Sequence, residues 1–365
     1  MSQVAIDATG VPPQAAGVGR YAKDLIAAIS VIDERPEIEV MATAATAGMF
    51  SQPNASRYRV ISAAPSARLL RLAYQESRLG RVAKRSGAKV IHGLHYQLPR
   101  RCRGLKMIST VHDLTFIDHP EWHEAAKVRY FRRAIKLAVE RADHLIVPSQ
   151  ATGERLRELF PDAPPVTVVY HGVGPAVVPE YGGAGRNEVE ICFLGTIEPR
   201  KNLPRLLEAF DIVAGDHPEF RLRIVGQRGW KTAGFDTALG RLRHRDRVTV
   251  DGYLSEPELK RVLKRARVLA YPSLEEGFGL PVLEALATGL NVVTSKVSAT
   301  AEVAGGFAWL VDPEDVSSIA DGIVEAATSA RPVDEVQRQT DWARSFTWEK
   351  AAYSTVTVYE RLLEP

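Results

Sequence analysis

The chain has 365 residues, 45% hydrophobic and 25% charged, with a formal net charge of +3. That length favours two domains, the small net charge argues against a nucleic-acid binder, and no apolar run approaches the roughly 20 residues that span a bilayer. The two cysteines, Cys102 and Cys192, lie far apart and suit a reducing compartment, with neither a disulfide framework nor a zinc site. MSQVAIDATG has no signal-peptide pattern, so the expected location is cytoplasmic.

Short apolar runs alternate with helical patterns along the chain. In the first half, strands are expected at 4–9, 39–45, 58–62, 89–93, 106–111, 144–149 and 166–170, and helices at 18–30, 66–85 and 123–141. PAVVPEYGGAGRNE follows, rich in Pro and Gly and without periodicity, as a linker would be. The second half offers strands at 188–195, 221–226, 247–252, 267–273, 290–295 and 307–312. Helices fit at 203–215, 256–265, 281–288 and 333–344, with a last one in FTWEKAAYSTVTVYERLLE. Continuous Val/Ile runs between helices imply parallel strands buried on both faces. The expected architecture is therefore α/β, with two doubly wound domains. The expected divisions are an N-terminal domain 1–172, a linker 173–187, a C-terminal domain 188–345 and a terminal helix 346–365.

Residues 66–106 are unusually basic: Arg68, Arg71, Arg78, Arg81, Lys84, Arg85, Lys89, Arg100, Arg101, Arg103 and Lys106 stand against the single acid Glu76. On one helix over 66–85, Leu69, Leu72, Ala73, Leu79 and Ala83 share a side, with Arg71, Arg78, Arg81, Lys84 and Arg85 opposite. The plain interpretation is a solvated helix back. The sharper one is a face for a phosphorylated acceptor or for anionic lipid, which adds peripheral contact at the inner face of the plasma membrane.

The stretch EEGFGLPVLEALATG (275–289) reads as the turn after a strand, then a helix. Pro281 suits the first helical position and Gly289 the helix end. The glycines let the backbone of 277–280 approach a ligand, and the helix start favours an anion such as a diphosphate. Glu276 is expected at the strand tip and Glu284 in the first helical turn, both facing the crevice at the strands' carboxyl ends. Carboxylates only accept hydrogen bonds, so they suit sugar hydroxyls. Taken singly, each glutamate is as easily a surface charge or a helix-dipole partner; the combination points to a site.

FLGTIEPRKNLPRLLEAF is a second strand-to-helix transition, in which Arg200 and Lys201 could neutralise a diphosphate. STVHDL puts His112 and Asp113 at a strand end, and GVGRYAKDL opens a helix with Gly17 and Gly19 but lacks a full three-glycine fingerprint. His92, His95, His119 and His123 have no convincing metal-ligand spacing. No Asp-x-Asp, Gly-x-Ser-x-Gly elbow or Walker A loop occurs.

EGFGLPVLE and LGTIEPRKNL, together with TVHDL, VVYHGV, AEVAGGFAWLVDPED and FTWEKAA in their expected order, resemble a retaining glycosyltransferase of family 4. The resemblance implies the GT-B fold, two doubly wound Rossmann-like domains facing a central cleft, with the last helix crossing back to the N-terminal domain. It implies that Glu276 binds donor-sugar hydroxyls, that Glu284 binds the ribose, and that Gly277, Phe278, Gly279 and Leu280 line the donor by their backbone. Arg200 and Lys201 would hold the diphosphate beside Thr196, and His112 would contact the donor sugar, these cations with Glu276 and His112 forming the catalytic set. Gly17, Gly19, Arg20, Tyr21 and Asp113 would border the acceptor. No metal or cofactor is required; the donor is a nucleotide-diphosphate sugar. Within the family, GTIEPRKNL, IVGQRGW and GYLSEPEL look most like the GDP-mannose-dependent mannosyltransferases, with UDP- and ADP-sugars as alternatives. The acceptor would be a sugar, a lipid-linked glycan or a small molecule.

Thr196 stands where some family members carry Arg, Asn291 replaces a frequent Pro, and Ala16-Gly17 a frequent Gly-Gly. The first leaves the diphosphate to Arg200 and Lys201 alone. Competing interpretations are a glycoside hydrolase, which also uses paired carboxylates but needs no diphosphate site, a non-catalytic sugar-nucleotide-binding protein, and a nucleotide-sugar epimerase on the same fold.

Overall fold

The computed structural model describes residues 3–12, 17–51, 58–100, 103–174 and 189–364, with only the backbone of Arg68 and Leu69. The expectations at Ala16, Arg101, Cys102 and most of the linker (175–187) fall outside these residues. The chain forms two units: Met1–Ile117 with Ala126–Gly172 and Thr347–Pro365, and Asp118–Ala125 with Val173–Phe346. The segment Asp118–Ala125, in the first domain by sequence order, packs with the second unit, and the last helix packs with the first.

Unit 1 is built on β1 (Val4–Asp7), β2 (Ile38–Thr43), β3 (Arg59–Ala64), β4 (Val90–Gly93), β5 (Lys106–Thr110), β6 (His144–Val147) and β7 (Val166–Val168). All pairings are parallel, in the order β3-β2-β1-β4-β5-β6-β7. Alternate residues serve opposite faces, as the pleat requires. Val4, Ile6, Val90, Ile108 and Ile146 pack on one side with Leu25 and Ile29 of the helix Val18–Ser30 and with Val356 and Tyr359 of the last helix, Trp348–Leu363. Ala5, Ile91, Met107, Leu145 and Val147 pack on the other, with Leu79 and Ala83 and with Ile135 and Ala138 of the helix Ala125–Arg141. Each large aliphatic removed from water here contributes about 1.5–3 kcal/mol. Burial on both faces is why these strands read as unbroken apolar runs.

Unit 2 repeats the plan with β8 (Val189–Leu194), β9 (Phe220–Val225), β10 (Val248–Gly252), β11 (Val268–Tyr271), β12 (Asn291–Ser295) and β13 (Trp309–Val311). The order is β10-β9-β8-β11-β12-β13, again parallel. Helices over Gln150–Leu159, Ala233–Arg241, Ala299–Ala304 and Val316–Thr328 add to those expected from the sequence.

The single helix expected over 66–85 is two, Arg68–Ser77 and Leu79–Arg85, separated at Arg78. The buried positions run through Gln75, Leu79 and Ala83, four apart, so Ala73 falls on the far side and is exposed. Arg78, Arg81, Lys84 and Arg85 face solvent, as expected. Among the described residues, no helix is long and apolar enough to cross a membrane.

One polar chain crosses unit 1's core. His92 on β4 is fully buried, its Nδ1 2.7 Å from the Tyr359 hydroxyl and its Nε2 2.8 Å from Thr110 Oγ1. Burial pushes its pKa down to about 3, so the ring is neutral and each nitrogen has one role. Tyr359→Phe leaves Nδ1 unpartnered in the core. The expected loss is about 1–3 kcal/mol, seen as a lower urea midpoint with unchanged far-UV circular dichroism; an unaltered midpoint would show that the bond contributes nothing.

Candidate active site

In unit 2 the strand order reverses between β8 and β11, the point at which open α/β sheets bind ligands. The loops leaving these two strands are 195–202 and 272–279, the two motifs singled out in the sequence. Backbone contact fixes the first loop. A Cβ on Gly226 would fall 1.9 Å from the Gly195 carbonyl oxygen, so no other residue fits where the loops after β8 and β9 meet. Asn202, left-handed at φ 60°, donates from Nδ2 to the carbonyls of Pro272 (3.0 Å) and Pro313 (2.6 Å). The Leu274 N–H donates to the Arg200 carbonyl at 2.8 Å. These bonds tie the two loops together and bring Arg200 and Lys201 onto Glu276.

The result is a cluster of four charges, with Glu198, Lys201 and Glu276 buried and Arg200 half-buried. Glu276 Oε2 lies 2.5 Å from Arg200 Nη1, and its Oε1 lies 2.5 Å from Lys201 Nζ and accepts from the Tyr271 hydroxyl at 3.0 Å. Arg200 Nε is also 2.5 Å from Glu198 Oε1. Lys201 donates to Tyr271 as well, with its ammonium 4.8 Å from that ring's centroid. Burial alone would raise Glu276, but Arg200 and then Lys201 outweigh it and hold the carboxyl at about 2. Lys201 is pulled below its ordinary value by burial and by Arg200, against the opposing glutamates. Tyr271 is pushed well above its own by burial and by Glu276. The two cations are thus held by two carboxylates and carry no net excess charge.

The turn 275–280 differs in detail from its sequence picture. The helix is Leu280–Ala287, so Pro281 is its second residue and Glu284 lies in its second turn, not its first. The cause is Gly279, whose φ of 100° caps the helix one residue early. A Cβ on Gly279 would meet Thr300 Cγ2 at 2.8 Å, so this glycine is required by packing as well as by conformation. Phe278 is buried, its ring 6.3 Å from that of Phe346, which makes its side chain an anchor for the turn. Gly277 is also buried, while Leu280 and Glu284 are half-buried. Gly289, at φ 74°, ends the helix as expected. Thr196 is half-buried, its Cγ2 2.7 Å from where a Cβ on Gly229 would stand.

The remaining candidates belong to unit 1. His112 follows β5, is 9% exposed, and donates from Nε2 to the Leu94 carbonyl at 2.8 Å. Burial lowers its pKa, leaving a neutral ring with Nδ1 as an acceptor. Tyr21 packs edge-on against His112 at 4.8 Å, and its hydroxyl lies 3.0 Å from Thr110 Oγ1. Gly17 (φ 51°) caps the helix Val18–Ser30, whose first turn holds Gly19, buried, and Arg20, paired with Asp24 at 3.5 Å. Asp113 Oδ1 accepts from the Thr115 backbone N–H (3.3 Å) and hydroxyl (3.0 Å), fixing the short helix Thr115–Asp118.

Glu198, Asn202 and Tyr271 were not among the sequence candidates. Glu198 could have been suspected from the alternating charges of Glu-Pro-Arg-Lys, and Tyr271 as the one polar tip on a buried aliphatic strand. Asn202 carries no such signal, because only the folded loop gives it two carbonyls to bind. The segment Asp118–Ala125 was also missed: Trp230 Nε1 donates to the Trp122 carbonyl (2.9 Å), Lys231 Nζ to that of Glu121 (2.6 Å), and His119 Nε2 lies 3.6 Å from Glu275 Oε2.

Comparison with known proteins follows the same division. Residues 15–177 match the family model "Glycosyltransferase Family 4" and residues 182–341 match "Glycosyl transferases group 1". O-antigen chain mannosyltransferase B of Escherichia coli is 27% identical over 372 residues, covering 95% of this chain and 96% of that protein. Glycogen synthase of Mycobacterium tuberculosis is 30% identical over 264 residues, 69% of this chain and 62% of its own length. Among solved structures, sucrose-phosphate synthase from Thermosynechococcus elongatus superposes with a TM-score of 0.77 at 19% identity, over 100% of this chain and 99% of that one. Two parallel Rossmann-like sheets of this order define the GT-B class of glycosyltransferase folds. Within that class, the chain belongs to the family 4 glycosyltransferases, and it is a hexosyltransferase that uses a nucleotide sugar.

Because the buried Glu276 neutralises the buried Lys201 and the half-buried Arg200, its removal has a structural cost that an exposed ligand-binding acid would not carry. Glu276→Gln is expected to lose about 3 kcal/mol or more at pH 7. The Glu276 pKa is depressed from 4.5 to about 2, so its stabilisation is complete above the unfolded value and fades as pH falls toward the folded one. The gap between wild type and variant in denaturant melts should narrow from pH 7 to pH 3. An equal gap at both would mean that Glu276 is not ionised in the native cluster.

Proposed function

We propose that the chain transfers a mannosyl residue from GDP-mannose to an acceptor hydroxyl with retention at the anomeric carbon, in the synthesis of a glycan or glycolipid. The observation that carries it is the Glu276–Arg200–Lys201 cluster at the switch point between β8 and β11. Arg200 offers a fork for phosphate oxygens and Lys201 a point charge. Both are pre-oriented by Glu276 and Glu198, so no reorganisation is spent when the diphosphate leaves. Glu276 also binds donor-sugar hydroxyls, Glu284 binds the ribose, and the backbone of Gly277 to Leu280 with Thr196 lines the donor. The bond from the anomeric carbon to the diphosphate oxygen breaks as the acceptor oxygen attacks on the same face. The acceptor's proton passes to the departing phosphate oxygen. With two cations and a helix start facing the diphosphate, this reading needs no metal.

His112, neutral and with Nδ1 accepting, is assigned to a substrate hydroxyl. Gly17, Gly19, Arg20, Tyr21 and Asp113 border the acceptor, Tyr21 and Asp113 as supports. The mannosyl assignment is supported by the O-antigen mannosyltransferase, matched over nearly its full length. The exposed Arg78, Arg81, Lys84 and Arg85 support peripheral contact with anionic lipid at the cytoplasmic face and a lipid-linked acceptor.

GDP-mannose should raise the melting temperature by several degrees at 100 times its Kd, equivalent to about 2.7 kcal/mol, with UDP- and ADP-sugars giving less at equal concentration. Arg200→Ala should lower kcat by about 100-fold or more. A larger shift with a UDP- or ADP-sugar would replace the donor assignment, and near-normal turnover in Arg200→Ala would overturn the role given to the cluster. Separately, the protein should co-sediment with phosphatidylglycerol-containing vesicles but not with phosphatidylcholine alone. A quadruple Arg78→Glu, Arg81→Glu, Lys84→Glu, Arg85→Glu variant should lose that binding; retention would remove the membrane contact.

A further inference from the structure

The segment Asp118–Ala125 has no part in the functions assigned above, yet it packs within unit 2 on the loops that carry the site. Pro120–Trp122 is one turn of 3-10 helix, in which side chains three apart eclipse. His119, which caps that turn, therefore lies over Trp122: the two rings are parallel within 11° and their centroids are 3.8 Å apart. A helical turn leaves its last carbonyls without partners inside it, and the loop after β9 supplies them. Trp230 Nε1 donates to the Trp122 carbonyl at 2.9 Å and Lys231 Nζ to that of Glu121 at 2.6 Å. Lys231 is a non-glycine residue held at φ 52°, a backbone cost that surrounding contacts must sustain.

The same segment meets the turn 275–280. His119 Nε2 lies 3.6 Å from Glu275 Oε2, and its Nδ1 lies 3.2 Å from Glu121 Oε1. An imidazole set between two carboxylates and flat on an indole face gains from both when it carries a proton. Glu275 joins this contact to the charge cluster. Its carbonyl accepts from Arg200 Nη1 at 3.3 Å, and that nitrogen is the one 2.5 Å from Glu276 Oε2. β9 and β11 stand on either side of β8 in the sheet, so the segment bridges two strand spacings, on the order of 10 Å. Trp122 also lines, with Ile197, Pro199 and Leu274, a cavity of about 240 Å³. The segment thus passes the loop leaving β8 without filling the space beside it.

We propose that Asp118–Ala125 is a clamp on the turn 275–280, with protonated His119 as its positioning residue. By holding the Glu275 carboxylate, His119 fixes the Glu275 carbonyl on Arg200 and the backbone of Gly277 to Leu280 that follows. The clamp rests on contacts within unit 2; that the fixed backbone lines a nucleotide-sugar donor rests on the reading above. Glu121 of the segment and Glu275 of the turn face His119, with Lys231 on the Glu121 carbonyl and Arg200 on that of Glu275. The segment's other histidine, His123, stacks on Trp230. As pH rises through the range in which imidazole ordinarily loses its proton, both carboxylates lose their cation and the clamp weakens.

The test is amide hydrogen exchange on the full chain without ligand, resolved to Gly277–Leu280. His119→Ala and Glu275→Ala should each speed exchange there about fivefold, the upper end for a partly exposed ion pair, and the double variant should be no faster than either. His119→Arg keeps a cation that stacks on indole and pairs with carboxylate, and should restore wild-type protection. Unchanged exchange in both single variants, additive effects in the double variant, or acceleration spread through unit 2 would each overturn the clamp. Turnover gives a second readout. Relative to the His119→Arg variant, wild-type kcat/KM for GDP-mannose should fall about fivefold from pH 6 to pH 8; a constant ratio would overturn the role of the charge. Absence of donor turnover in wild type would instead defeat the GDP-mannose reading, and the exchange data would still decide the clamp.

Discussion

Two carboxylates hold two cations inside the second unit, and most of what is distinctive about that unit follows from keeping them there. Four charges removed from water are tolerable only when each is matched at short range and the remaining donors and acceptors are satisfied. That requirement explains the tie between the loops after β8 and β11. Asn202, strained into a left-handed conformation and spending its amide on two carbonyls, maintains that tie. It also explains Tyr271, which lends Glu276 a hydroxyl where no water reaches. An enzyme that must meet a departing diphosphate gains from such an arrangement. The positive groups are aimed in advance, and their charge is balanced while no ligand is present.

The first unit solves a different problem with neutral groups. Its buried histidines His92, His112 and His171 and the half-buried His95 are all pushed toward the uncharged form chiefly by desolvation. Neutral imidazoles supply one donor and one acceptor each, which is what hydroxyl-rich substrates require and what a low-dielectric interior permits. The two units thus divide the chemistry by charge. Ion-paired groups line the switch point of the second, and uncharged imidazoles lie within the first.

Much of this was legible in the sequence because strands buried on both faces leave an unambiguous apolar signature. All thirteen expected strands occur where the runs of Val, Ile and Leu lie, and the helix Val18–Ser30 has the expected bounds. Features set by one residue's backbone were less legible. Gly279 moved a helix start by one residue and carried Glu284 into the second turn, and Arg78 broke what periodicity alone treats as one helix. The pairing of Arg200 and Lys201 with Glu276 and Glu198 was not legible at all. It depends on which loops the strand order makes neighbours, over a separation of some 75 residues that no local pattern encodes. The same holds for Asp118–Ala125, whose partners Trp230 and Lys231 lie in another part of the chain.

The last helix has a consequence for how the protein is made. Trp348, Ala351, Val356 and Tyr359 are core residues of a unit whose other strands and helices lie before residue 173. The approach is close: a Cβ on Gly172 would fall 2.0 Å from the backbone nitrogen of Trp348. During synthesis, the groove along the helix Val18–Ser30 therefore stays open, and Leu25 and Ile29 stay without part of their cover, while nearly two hundred further residues are translated (Gly172 to Tyr359). Unit 2 meets its own partners sooner, because Asp118–Ala125 has already emerged when its first strand appears. The half of the protein made first is thus the half that completes its core last, and until then its apolar groove is exposed to other chains.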